Sequence, residues 1–153
     1  MLPYIGENHI PYIMMHCGGS IESLHTNHIK ENACEIVKSF FEKQIEFLGN
    51  YGEQQIILDP GIGFNKSMKS NFELLNNIED YRVNNLPVLI GISRKSMIYK
   101  TLKTTPQEAL NGTTVLNTIA LMKGADILRV HDVKEAVEAV KLVNELRTKS
   151  FKL

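Results

Sequence analysis

A chain of 153 residues that is 43% hydrophobic and 22% charged has the material for one packed core, which excludes a disordered segment. Lys plus Arg and Asp plus Glu both number 17, so no net field is available to gather nucleic acid or an anionic membrane surface, and any cationic site must be local. No apolar run approaches the ~20 residues of a membrane span, and Met1-Leu2-Pro3-Tyr4 lacks the regions of a signal peptide, so the expected compartment is the cytoplasm, with Cys17 and Cys34 as reduced thiols.

In chain order, Ile10–Met15 is a short apolar run that predicts a strand, and Ala33, Ile36, Val37, Phe40, Phe41, Ile45 and Leu48 fall at helical spacing. A second strand, Gln55–Leu58, runs into Asp59-Pro60-Gly61, and its helix follows through Phe72, Leu74, Leu75, Ile78 and Tyr81. Pro87–Ile90 is the third strand, leading through Gly91-Ile92-Ser93 into a short helix. Thr105-Pro106-Gln107-Glu108 carries a cap, a first-turn proline and a residue able to return a hydrogen bond, so the main third helix is expected to open there and to stop at Gly124. The fourth strand, Ile127–Val130, precedes Asp132-x-x-Glu135, a second capping pattern, with apolar positions at 133, 136, 137, 140, 143 and 146. Apolar strands separated by helices indicate an α/β protein with a parallel sheet, expected to be buried on both faces. The pattern is four β-α units, one domain or half of one, with no internal repeat and no low-complexity linker.

Functional groups of such sheets collect at the carboxyl ends of the strands. Here those ends are polar each time: His16-Cys17-Gly18-Gly19, Asp59 to Lys66, Ser93-Arg94-Lys95-Ser96, and Arg129-Val130-His131-Asp132. Arg94 and Lys95 stand where a short helix begins and can hold an anion together with its free amides. Arg129 and His131 alternate along a strand and so share a face, a two-pronged anion clamp. Each residue also has a plainer reading. Asp59 before Pro-Gly suits a turn, Ser93 suits a helix cap, Phe64 suits a core, and Arg129 and His131 suit structural pairs with Asp126 or Asp132. His25 and His28 have metal-ligand spacing or belong to a polar loop. Cys17 reads as packing rather than nucleophile.

Taken together, Asp59-Pro60-Gly61-Ile62-Gly63-Phe64-x-Lys66, Gly91-Ile92-Ser93-Arg94-Lys95-Ser96 and Arg129-Val130-His131-Asp132-Val133 resemble, in order and spacing, the three C-terminal signatures of dihydropteroate synthases. Pro11 to His16 is similar to that family's strand ending in Met-His, and the resemblance runs from about residue 1 to about residue 147. It implies the C-terminal half of a (β/α)₈ barrel, whose open edges another half or a second copy would cover, so a homodimer or homo-oligomer is expected. It also implies joining of 6-hydroxymethyl-7,8-dihydropterin diphosphate to p-aminobenzoate, giving 7,8-dihydropteroate and pyrophosphate, with Mg²⁺ on the diphosphate. Carried over by motif, Asp59 and Lys95 would contact the pterin and Met15 would pack below it. Gly63, Phe64 and Ser93 would line the aminobenzoate site, with Arg94 near it. Lys66 would help close the site, and Arg129 and His131 would hold the pyrophosphate. The stretch from Cys17 to His28 departs from the family pattern, and the residues that family uses to bind magnesium lie in strands this sequence does not contain. A half-barrel that only binds pterin or anionic ligands, or self-associates, is the alternative to an enzyme.

Overall fold

The computed structural model describes residues 2–18, 29–52 and 55–148. Four short strands stand side by side in chain order: β1 (Tyr12–Met15), β2 (Ile56–Asp59), β3 (Leu89–Ile90) and β4 (Ile127–Leu128). β1 and β2 pair in parallel from Tyr12–Ile56 to Met15–Asp59, and β3 and β4 pair in parallel at Leu89–Ile127 and Ile90–Leu128. A parallel bridge between Leu58 and Val88 joins the two halves, with the Leu58 N–H donating to the Pro87 carbonyl at 2.8 Å. Among the described residues β1 and β4 each have one partner strand, so the row has two open edges.

The strands are shorter than their apolar runs. Pro11 has no N–H to give a ladder, and β4 leaves its partner after Arg129 donates its N–H to the Ile90 carbonyl at 2.9 Å. A short helix, α1 (Leu2–Glu7), comes before β1 despite its Pro3 and Gly6, and buried Ile5 anchors it.

The remaining helices are α2 (Ala33–Gly49), α3 (Met68–Asn76), α4 (Ser96–Leu102), α5 (Leu110–Met122) and α6 (Val133–Thr148), with a 3₁₀ turn at Ile78–Tyr81. They cover one face of the sheet. Alternate strand residues Met14, Leu58, Val88 and Ile90 pack there with Val37, Phe41, Leu74 and Tyr81 in a single cluster. The opposite face is open in part: Ile13 on it is 46% exposed, whereas Leu89 and Asp59 on the same face are 4% and 1% exposed. The expectation that both faces are buried therefore fails on part of the inner face, where the described residues provide no second layer.

Two helix details also differ from expectation. Thr105 and Glu108 do form the capping contacts, the Thr105 hydroxyl and N–H reaching the Glu108 carboxylate at 2.8 and 3.3 Å. However, Glu108 and Ala109 bond back three residues, to Thr105 and Pro106, so 105–109 is a tight turn and α5 starts only at Leu110. On α6, Ala136, Ala139 and Val143 face inward, whereas Val133, Val137 and Leu146 lie on the exposed side.

α3 begins at a well-formed cap, the Ser67 hydroxyl accepting from the Ser70 N–H at 3.1 Å. Ser67→Ala is expected to lower stability by about 1 kcal/mol, read from urea unfolding; a change below a few tenths would mean that water replaces the cap at no cost.

Candidate active site

Strand register decides which side chains meet. Asp59 pairs in register with Met15, so both stand on the inner face at the carboxyl end of the sheet. Ile90 pairs with Leu128 on the outer face, which turns the next residues, Gly91 and Arg129, inward. Ser93 and His131 keep the same parity, and Gly91, Ser93, Lys95, Arg129, Val130 and His131 line one cleft of about 120 Å³.

Asp59 is the carboxylate of this face and is 1% exposed. Its Oδ1 accepts from the Gly61 N–H at 2.8 Å, which is the turn role the Asp-Pro-Gly sequence suggested. Its Oδ2 lies 3.0 Å from Arg129 Nη1, an ion pair whose approach is not aligned as a hydrogen bond, so the oxygen keeps acceptor capacity. The turn role therefore takes one oxygen and leaves the other facing Arg129.

The loop from Asp59 to Lys66 is fixed from beneath. Lys66 is 5% exposed, and its Nζ is within 3.0 to 3.2 Å of His16 Nδ1 and the carbonyls of His16, Gly61 and Phe64. Lys66, expected to help close the site, is here a buried anchor tying the loop to the end of β1. Gly61 makes that approach possible, since its φ is +65° and a Cβ there would lie 2.0 Å from the His16 carbonyl oxygen. Asn71, on α3, accepts from the Gly63 N–H at 2.7 Å and donates to the Lys66 carbonyl at 3.4 Å.

Burial, and then the Lys66 charge, hold the His16 imidazole down at about 4, so it is neutral and able to accept from the ammonium. Its unfolded value is near 6.5. Between those values the unfolded chain binds a proton that the folded chain refuses, so this contribution is present above pH 6.5 and is lost as pH falls toward 4. Stability is expected to drop by on the order of 2–3 kcal/mol across that window, and in His16→Gln the drop should shrink; urea midpoints at closely spaced pH values measure both.

Lys95 arches over Gly63, donates to the Ile62 carbonyl, and places Nζ 4.5 Å from the centre of the Phe64 ring. Burial lowers its ammonium to about 8, against the pull of Asp59. Lys95, Gly63 and Phe64 therefore stand together on the Asp59 side of the site.

Arg94 has a different fate. Its Nη2 and Nε pair with both oxygens of Asp132 at 2.8 and 2.9 Å, and Nη1 donates to the carbonyls of Pro106 and Gln107 at 3.0 and 2.7 Å. The guanidinium holds the Asp132 carboxyl below its ordinary value. Arg94 is committed to structure, so the expected anion contact with Lys95 is not formed, and Asp132 is turned to Arg94 instead of to the α6 amides. Ser93 caps no helix: its hydroxyl accepts from the His131 N–H at 3.3 Å and so ties the third loop to the fourth.

Asn71 is the support that motif reasoning missed, and Asp132 pairs with Arg94 rather than with Arg129 or His131. The one signal for Asn71 was polarity at positions 70 and 71, on a helix face shared with buried Leu74 and Leu75. Among the described residues no group of three or more His, Cys, Asp or Glu side chains could hold a metal, and no helix is long and apolar enough to cross a membrane. His25 and His28 lie outside the described residues, as does the whole of 19–28. Cys17 and Cys34 are free thiols, the latter buried.

Residues 1–131 match the family model of the pterin binding enzymes. The chain is 38% identical over 139 residues to the dihydropteroate synthase of Escherichia coli K12, covering 90% of this chain and 49% of that protein. It superposes on the Yersinia pestis dihydropteroate synthase in complex with a sulfonamide drug with a TM-score of 0.89 at 34% identity, over 96% of this chain and 54% of that one. It also resembles the Xanthomonas albilineans dihydropteroate synthase with 4-aminobenzoic acid, with a TM-score of 0.86 at 28% identity, over 97% of this chain and 53% of that one. The chain spans about half the length of the curated relatives it matches. With the family model covering most of the sequence and the fold agreeing with it, this chain belongs to the pterin-binding enzymes and corresponds to the C-terminal half of a dihydropteroate synthase.

Proposed function

We propose that this half-barrel supplies the leaving-group side and the ring-recognising carboxylate of a dihydropteroate synthase site. The observation that carries the reading is the meeting of Asp59, Lys95, Arg129 and His131, from three separate strand ends, on one partly open inner face. In the reaction, the C–O bond to the diphosphate breaks, the p-aminobenzoate nitrogen forms the new C–N bond to that carbon, and the amine loses a proton to solvent.

Each residue meets one demand of that exchange. Departure of the diphosphate concentrates negative charge, and Arg129 and His131 stand where cationic and N–H donors would receive it. Asp59 Oδ2 can accept from the amino and ring N–H groups of the pterin and favours positive character on the ring. Lys95 and Met15 flank that carboxylate, and the Phe64 face, with Gly63 and Ser93 nearby, suits an aromatic ring such as aminobenzoate. Magnesium accompanies the diphosphate in the resemblance, but the side chains here do not fit it. The cleft is lined by Lys95, Arg129 and His131, and Asp59 is already committed to Gly61 and Arg129. No step is assigned to a metal held by this chain.

The open β1 and β4 edges call for further strands, from an N-terminal half or from a second copy of this chain. Pyrophosphate release from the pterin diphosphate and aminobenzoate should therefore appear, or rise strongly, when a family N-terminal half is added. No release with that half present, and no pyrophosphate binding by either preparation, would overturn the proposal. Light scattering across a dilution series distinguishes a self-paired chain from a monomer.

A further inference from the structure

We infer that Gly91 is a positioning residue that sets the reach of Arg129 and thereby couples the anion end of the cleft to Asp59. The inference rests on the reading of the site given above. Arg129 leaves β4, and Asp59 sits on β2, so the guanidinium must cross β3 to arrive 3.0 Å from Oδ2. Two inter-strand spacings are about 10 Å, within reach of an extended arginine only if nothing stands up from β3 between them. Position 91 is the inward-facing residue at that point. A Cβ there would lie 2.9 Å from Arg129 Nη2, 3.1 Å from Nε and 3.2 Å from Cζ, which means that the guanidinium plane lies flat on bare backbone.

The backbone itself does not demand glycine. Gly91 is absent from the positive-φ glycines, which are Gly52, Gly61, Gly63 and Gly124, so an alanine meets no backbone penalty there. What the missing side chain provides is the crossing.

The crossing gives one guanidinium two claimants. Oδ2 of Asp59 has no aligned hydrogen bond and is held only by this ion pair. When pyrophosphate draws Arg129 toward His131, a nearly unexposed carboxylate is left in need of donors, and a donor-rich ring supplies them. When the ring takes Asp59 first, Arg129 is released for the anion. Such coupling is reciprocal by thermodynamic necessity. Alanine at 91 would displace the guanidinium beforehand, leave both partners free in the empty site, and remove the coupling.

The test is a fluorescence titration of pterin into the 153-residue chain, with and without saturating inorganic pyrophosphate, for the wild type and G91A. In the wild type pyrophosphate should tighten pterin at least about fivefold, the low end of typical coupling. In G91A the factor should fall below about twofold, with pyrophosphate alone binding no more weakly than to the wild type. Arg129→Lys provides a second variant should G91A not fold: the shorter, compact ammonium keeps a charge for pyrophosphate but cannot span β3, so its coupling is lost as well. Both ligands binding the wild type independently, or full coupling surviving in a folded G91A or in Arg129→Lys, overturns the inference alone. Failure of the wild type to bind either ligand, alone and with a family N-terminal half present, overturns the functional reading and this inference with it.

Discussion

Replacing Arg129 with alanine is expected to slow pyrophosphate release by on the order of 10²- to 10³-fold, with a much smaller effect on stability. The large effect follows from timing. The leaving diphosphate gains charge only as its bond breaks, so a donor fixed in advance at that point acts more strongly on the transition state than on the bound substrate. The effect on stability is smaller and set by two opposed exposures. The Arg129 side chain is 49% exposed and so is screened, but Asp59 is 1% exposed, and a buried oxygen left without its ionic partner costs about 1–3 kcal/mol. Asp59 also keeps its bond from Gly61. Activity measured with a family N-terminal half present, alongside a thermal melt of the variant, separates the two. A variant that melts like the wild type and still releases pyrophosphate at the wild-type rate would take Arg129 out of the leaving-group role.

Arg129 was legible in the sequence because strand period is two: residues 129 and 131 must share a face, and the polar ends of strands in parallel sheets must converge. Asp59 was legible for a related reason, since Pro-Gly after an apolar strand marks the turn. The neighbouring cations show where such reasoning stops. Arg94 and Lys95 are adjacent and look equally available, yet Asp132, 38 residues later, claims the first with two hydrogen bonds, while the second bends over Gly63. Only tertiary contact separates them. The start of α5 was misplaced for a local reason, since a capping box and a tight turn use the same Thr and Glu contacts and differ in whether the next amides bond back four residues or three. Nor does period reveal that the inner face is partly open, because a strand buried on one side and awaiting a partner on the other reads the same as one already covered.

Lys66→Met is the substitution expected to cost the most stability, on the order of 3–5 kcal/mol. Methionine is close in length, so the loss is electrostatic rather than a cavity. The ammonium has three protons and faces four acceptors, the carbonyls of His16, Gly61 and Phe64 and the His16 ring nitrogen, so at least one proton is shared and none is idle. Removing it leaves those acceptors with no donor in a place that water does not readily reach, each at about 1–3 kcal/mol where it cannot be rehydrated. Burial lowers the Lys66 ammonium to about 8, which is still above neutrality, so the charged anchor is the form that the folded chain holds at pH 7. Arginine should not rescue it, because a planar fork cannot direct its donors at a cluster that surrounds a single point. Urea unfolding at pH 7 measures the cost, and a midpoint within experimental error of the wild type would show that water replaces the ammonium. The same substitution should weaken pterin binding although Lys66 never touches the inner face, because Asp59, Gly63 and Phe64 all belong to the loop it holds down, and a carboxylate whose turn is loosened can no longer keep one oxygen on Gly61 while offering the other to a ligand.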